Sequence, residues 1–131
     1  MRARVTTALA LCAITLPVVT GCEKTPRDKL QGRWLGEGVE SFPAEQTPRA
    51  TGWVKGTAIE FHGNKVTVTV PAETPRTGTF KVARVEGDKV IVSFTRDEGG
   101  TDESTFRIAN ETSMRWDVGG GREIVLVKAR N

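Results

Sequence analysis

The hydrophobic residues of this chain recur mostly in short alternating runs separated by turn residues, a pattern typical of antiparallel β-strands. In the clearest run, residues 65–70, three valines alternate with threonines and so share one face. Similar runs predict about eight short strands and no helix of useful length. The predicted strands are 33–37, 57–62, 65–70, 79–85, 89–96, a run with Phe106 and Ile108 inward, a run with Met114, Trp116 and Val118 inward, and a last run with Ile124 and Leu126 inward.

Two segments break the alternation and are predicted to be loops. Residues 38–52 carry two prolines and several charges without periodicity, and residues 71–77 carry two more prolines, which cannot donate to a strand ladder. The other connections are short turns rich in glycine. Phe80 and Val85 fall on opposite faces of one predicted strand, which predicts a β-bulge near Ala83.

Sequential strands joined by short turns favour an all-β fold, an antiparallel up-and-down meander that closes into a small barrel. Closure removes the unpaired edge strands that an open sheet would expose. A β-sandwich is the alternative. About eight strands enclose room for side chains or for one small ligand. The bulky inward candidates predict a filled interior without a deep apolar cavity; they are Phe61, Phe80, Phe94, Phe106, Met114 and Trp116.

The first apolar run, residues 5–18, follows two arginines, which is the layout of a secretory signal. It is too short to cross a bilayer as a helix. The residues directly after it are Val19, Thr20, Gly21 and Cys22. They resemble the lipobox of bacterial lipoproteins, in which the precursor is cut before the cysteine and the cysteine thiol carries the lipid.

This resemblance implies that Cys22 is lipidated and that the membrane is a partner through the attached lipid. The implied division of the chain is a signal peptide at 1–21, a tether at 22–31 and a β domain at 32–131. Within the tether, Asp28 is expected to cap a single helical turn that holds Leu30 against the domain. In the lipoprotein family an Asp directly after the cysteine favours the inner membrane. Glu23 stands there in this chain, so the resemblance favours the outer membrane, on its periplasmic face.

The start of the predicted barrel, Gly32-Arg33-Trp34, resembles the Gly-x-Trp motif of lipocalin and calycin barrels. In that family the Trp closes one end, a long loop after the first strand covers the other end, and an Arg or Lys from the last strands lies over the Trp. The resemblance implies a lipocalin-like barrel plugged by Trp34. It leaves open whether Arg107, Arg122 or Lys128 lies over the indole.

Charge and cysteine content narrow the classes of function. Loss of residues 1–21 removes two of the 19 basic side chains and none of the 16 acidic ones, so the formal net charge falls from +3 to +1. This balance gives no clustered basic footprint, so we exclude nucleic acid as a partner. Cys12 lies in the signal and Cys22 would carry the lipid, so the domain depends on packing without a disulfide.

No constellation of side chains predicts catalysis, a metal site or a cofactor. His62 is the only histidine and stands beside the Gly63-Asn64 turn without a paired base or metal partner. The acidic segment 97–103 lacks the alternate-residue spacing of a calcium loop, which favours a solvated hairpin tip. We therefore expect a non-enzymatic protein.

Phe42 and Trp53, in or beside the long predicted loop, are the candidates for a binding surface. Trp53 is expected either to line the barrel mouth or an interface, or to fold back over the core. We predict a membrane-tethered binding or accessory module of the cell envelope, whose partner is an envelope protein or a small ligand. The alternative is an inhibitor-type lipoprotein that blocks an envelope hydrolase through loop 38–52 or 71–77. A hydrolase with an unrecognised carboxylate site is a third hypothesis.

Overall fold

The computed structural model describes residues 24–130, which form an eight-stranded antiparallel β-barrel with two short helices. The lipobox positions Val19, Thr20, Gly21 and Cys22 lie outside the described residues, as does the predicted signal peptide. The elements are α1 Pro26–Leu30, β1 Gly32–Glu40, α2 Thr47–Val54, β2 Ala58–His62, β3 Lys65–Thr69, β4 Arg76–Glu86, β5 Lys89–Arg96, β6 Thr101–Asn110, β7 Ser113–Gly119 and β8 Arg122–Lys128. The predicted all-β class and up-and-down strand order are confirmed.

The barrel closes because β1 pairs with both β2 and β8, while each intermediate strand pairs with its two sequence neighbours. Every strand between residues 32 and 128 therefore has a partner on each side, which rules out the sandwich alternative. The core and all the strand pairs lie within the described residues, which contain no cysteine. Residues 24–130 are therefore held together by packing and hydrogen bonds and not by a disulfide.

Aromatic side chains fill much of the barrel interior. The ring of Phe61 lies 4.8 Å from that of Phe80 and 5.9 Å from that of Phe106, in edge-to-face contacts. Phe106 in turn stacks on Trp116 at 5.9 Å. Such pairs contribute about 0.5–1.5 kcal/mol beyond the burial of their surface. The predicted inward positions of Phe61, Phe80, Phe106 and Met114 are confirmed, since all four side chains are buried.

A capping box starts α1 within the predicted tether. The Thr25 hydroxyl accepts a hydrogen bond from the Asp28 N–H at 3.1 Å, and the Asp28 carboxylate accepts one from the Thr25 N–H at 3.3 Å. The prediction that Asp28 is the cap is wrong, because the helix begins earlier: Pro26 occupies a first-turn position, where its missing N–H is not needed. The helix buries Leu30 completely, as expected.

Trp34 is fully buried at the end of the barrel next to α1. Its indole Nε1–H donates a hydrogen bond to the Leu30 carbonyl at 2.8 Å, which satisfies the polar atom of a buried ring. The Lys128 Nζ lies 5.0 Å from the centre of the indole, within the range of a cation–π contact. Of the three basic candidates, Lys128 is therefore the one over Trp34; it is also the β8 partner of Trp34 in the ladder with β1.

The prediction of an irregular loop over 38–52 is wrong. Strand β1 continues to Glu40, and α2 occupies Thr47–Val54. Pro48 fits because it lies in the first helical turn, where N–H groups have no intrahelical partner. Only Val54 of α2 is buried, so the helix has no apolar stripe that the sequence pattern could reveal. In the described part of the chain, neither helix has the length and apolar character needed to cross a membrane.

Register shifts interrupt the strand pairing at several places. The bulge predicted near Ala83 is confirmed, because the β4–β5 register shifts between Val82 and Arg84. A second shift, between Asp117 and Gly119, makes the inward prediction for Val118 wrong: this side chain is 37% exposed. One extra residue in a strand moves the following side chains to the other face.

An ion pair on the barrel wall links β1 to β7 across β8. The Arg115 guanidinium donates to both carboxylate oxygens of Glu40, from Nε at 2.8 Å and from the second nitrogen at 2.7 Å. These hydrogen bonds lower the pKa of Glu40 and raise that of Arg115. The pair therefore stabilises the barrel above the unfolded-state pKa of the carboxyl group, and this contribution is lost as the pH falls through the lowered pKa.

Candidate functional site

The two ends of the barrel differ. We call the end that carries α1 and Trp34 the closed end; the turns at 63–64, 87–88 and 111–112 also lie there. The opposite end, here the open end, is formed by residues 41–57 with α2 and by the connections at 70–75, 97–100 and 119–121. The candidate site lies at the open end, because the two depressions that are lined mainly by apolar side chains are found there.

The open end has two mainly apolar depressions, beside a third of mixed polarity and about 520 Å³ that is lined by residues 73–77 and 96–98. The first apolar depression is the upper part of the barrel interior. Its volume is about 180 Å³, and its apolar floor is formed by Ile59, Val66, Val68, Phe94 and Trp116. Ligand pockets for drug-sized molecules usually have about 300–1,000 Å³, so this space suits a single ring or a short aliphatic group. The interior below it is filled by the phenylalanine cluster, and no long acyl chain fits without rearrangement.

Polar side chains form the rim of the first depression. Arg96 pairs with Asp102, with its Nε at 2.9 Å and a terminal nitrogen at 2.7 Å from one carboxylate oxygen. Arg76 also lines the depression, and its only ion pair among the described residues is an exposed contact of 3.9 Å with Glu73. Such a contact contributes little, so the Arg76 guanidinium is available to a ligand.

The second depression lies between α2 and the last two strands, with a volume of about 230 Å³. Phe42 and Trp53 both line it, so the structure brings together the two aromatic residues that the sequence analysis singled out. The Arg122 guanidinium lies 5.4 Å from the centre of the Phe42 ring. Trp53 is 44% exposed on the lip of this depression, which places it at the mouth and not within the core.

Trp116 is a wall shared by the two depressions. Sequence reasoning assigned it only to the filled interior and so missed its place in the site. Its stacking on Phe106 holds one face of the indole, with an angle of 21° between the rings. The signal for this position was present: Trp116 is an inward-facing residue close to the Gly119–Gly121 turn, so it lies near the mouth of the barrel.

A close backbone approach fixes the C-terminal end of α2 on the barrel. A Cβ added at Gly36 of β1 would lie 1.9 Å from the Val54 carbonyl oxygen, so no larger residue fits at this contact. The Gly36 N–H also donates to the Thr57 carbonyl at 2.9 Å. In contrast, the N-cap residue Gln46 makes no side-chain capping bond. The helix is thus docked on β1 at the end that carries Trp53, whereas its first turn is held locally, by the Thr47 N–H and hydroxyl that donate to the Pro43 carbonyl at 3.2 and 3.1 Å.

The other candidates from the sequence analysis lie elsewhere or act locally. His62 is exposed at the closed end, far along the barrel from both depressions. In the acidic hairpin, Asp97 accepts a hydrogen bond from Thr77 at 2.7 Å, and Asp102 pairs with Arg96. Among residues 24–130, no three His, Cys, Asp or Glu side chains group closely enough to hold a metal ion.

Comparison with known proteins supports the fold. The chain is similar to the crystal structure of an uncharacterized protein from Bacteroides eggerthii DSM 20697, with a TM-score of 0.53 and 12% sequence identity over 76% of this chain and 99% of that one. At this identity the likeness shows the fold alone. No family model matches the chain, and no curated protein matches it. The barrel fits a lipocalin-like architecture.

Gly36→Ala is expected to destabilise the protein by about 1–3 kcal/mol, because the new methyl group collides with the backbone of α2. Gly38→Ala is the matched control: a Cβ there meets nothing within 4 Å, and we expect a change within about 0.5 kcal/mol. Urea denaturation of both variants measures the difference. Equal destabilisation would show that the approach of α2 to β1 is not the tight contact described above.

Proposed function

We propose that this protein is a lipid-anchored, non-enzymatic module of the cell envelope that binds a partner protein through its open end. The observation that carries this proposal is the pair of apolar depressions on either side of Trp116, each about large enough for one large side chain. Two adjacent sockets of this kind fit anchor side chains projecting from another protein.

The volume of the depressions favours a protein partner over a carried lipid. About 180 Å³ and 230 Å³ are each below the usual range of small-molecule pockets. An apolar space of about 150 Å³ holds a group the size of benzene, which is close to an aromatic side chain. A small ligand with one ring or a short chain is the second candidate that this size allows.

The residues around the depressions have the composition of a protein interface. In protein–protein interfaces a few residues contribute most of the binding energy, and Trp and Arg are common among them. These residues lie in apolar pockets that are surrounded by polar groups. Trp53 is exposed on the lip, Arg76 and Arg96 border the first depression, and Arg122 borders the second. The open end therefore combines apolar sockets with a polar rim.

Two features support a binding role over catalysis. His62, the one histidine of the chain, lies at the opposite end of the barrel from the depressions. Ser104, on the rim of the first depression, has therefore no histidine near it to act as a base. The one carboxylate that the described residues place on that rim, Asp102, is paired with Arg96.

The anchor is proposed from the sequence. Val19, Thr20, Gly21 and Cys22 match the lipobox pattern, and Glu23 favours the outer membrane on its periplasmic face. Stable anchoring needs two or more acyl chains, which the lipid on such a cysteine provides.

The inhibitor-type alternative is favoured by one observation. Residues 72–77 are exposed, contain Pro75, and include Ala72 at a positive φ of 64°, so this connection projects with a restrained backbone. The other loop named for this role, 38–52, is largely folded into β1 and α2. We therefore rank the alternative below binding at the open end.

A photoreactive amino acid in place of Trp53 is expected to crosslink a protein partner in intact cells, because this position lies on the lip of the second depression. The matched control is the same substitution at Lys81, an exposed residue on the wall of the barrel. Mass spectrometry of the crosslinked products identifies the partner. The same products from both positions, or none from Trp53, would count against binding at the open end.

Cys22→Ala is expected to abolish lipidation, because the thiol that accepts the lipid is removed. Labelling of cells with a fatty acid, followed by fractionation, measures this: the wild-type protein should take up label and sediment with membranes, whereas the variant should do neither. A wild-type protein that takes up no label would overturn the anchor.

A further inference from the structure

The lysines of the barrel are concentrated at the closed end. Two belong to the segment around α1, two begin the strands that follow closed-end turns, and one ends β8; these five are Lys24, Lys29, Lys65, Lys89 and Lys128. Lys55 and Lys81 are the other two in the described chain. The six ion pairs found among the described residues all use arginine, so all seven lysines lack a carboxylate partner there.

Few carboxylates oppose these lysines. Lys24, Lys29 and Lys128 line one open depression, in which Glu111 is the single acid. Of the other acids at this end, Asp28 is engaged in the capping box, Glu86 pairs with Arg84, and Asp88 lies in the turn before Lys89 with no ion pair among the described residues. The closed end therefore presents a clustered positive surface, so the expectation from the near-neutral charge of residues 22–131 that basic side chains do not cluster is wrong for this end.

The position of the proposed anchor brings this surface to the membrane. Cys22 is separated from Lys24 by a single residue, and an extended chain spans at most about 3.6 Å per residue. Lys24 can then lie no more than roughly 7 Å from the lipidated cysteine, which is within the Debye length of about 8 Å at physiological ionic strength. This step rests on the proposed lipid anchor.

We propose that the closed end binds anionic phospholipid headgroups, so that the barrel is held with its open end directed away from the membrane. Unpaired lysine ammonium groups suit this role, because a basic residue near an anionic bilayer contributes about 1 kcal/mol without a defined partner geometry. The two ends then have separate roles: the lysines orient the barrel on the lipid surface, and the depressions around Trp116 remain accessible to the partner.

The test uses the unlipidated chain beginning at residue 23, since the barrel is complete within the described residues. Sedimentation at low salt with phosphatidylcholine vesicles, with or without phosphatidylglycerol, measures binding. One variant combines Lys24→Glu, Lys29→Glu and Lys65→Glu; Lys128 is left in place because it packs on Trp34. The control combines Arg49→Glu, Lys55→Glu and Lys81→Glu, three exposed residues away from the closed end, with the same change in net charge.

The wild type should bind only the vesicles that contain phosphatidylglycerol, and added salt should weaken this binding. The closed-end variant should bind about 100-fold more weakly, since each lysine accounts for about fivefold, and the control should lose much less. Equal losses in the two variants, equal binding to neutral vesicles, or no binding by the wild type would overturn the proposal. Because the tested chain lacks Cys22, these outcomes are independent of the labelling experiment on the anchor.

Discussion

The burial of Trp34 is the interaction on which the rest of this structure depends. The indole fills the closed end of the barrel, donates to the Leu30 carbonyl of α1 and lies under the Lys128 ammonium group of β8. One side chain thus connects the N-terminal helix with the first and last strands, whose pairing closes the barrel. Because this end is plugged, the barrel interior is accessible only from the other end.

The packed interior of the barrel explains why the open end is better suited to binding a partner at its surface than to carrying a ligand inside. Phe61, Phe80 and Phe106 pack edge to face across the interior, so the space that remains is shallow. Because the domain has no disulfide, its stability depends on this packing of the interior and not on contacts at the mouth of the barrel. α2 covers the mouth only in part, since Val54 alone is buried and Trp53 is left on the lip.

The sequence predicted the parts of the fold that repeat and missed those that depend on a single contact. The alternation of Val66 and Val68 with threonines is a local pattern that predicts a strand. Similar runs along the chain, joined by short turns, led to the correct strand order. α2 has no such period: its one buried residue docks because Gly36, distant in sequence, leaves room for it. The place of Lys128 over the indole likewise follows from the β1–β8 register, which exists only once the barrel has closed.

The central claim is that Trp34 is the plug of the barrel, whereas Trp53 lies exposed on the lip of the second depression. Urea denaturation of the unlipidated domain carrying Trp34→Ala or Trp53→Ala tests it most directly. Removal of a fully buried tryptophan should lower the free energy of unfolding by about 3–5 kcal/mol, which is a large fraction of the stability of a small domain. Removal of Trp53, which is 44% exposed, should cost less than about 1 kcal/mol. Equal losses for the two variants would contradict the account.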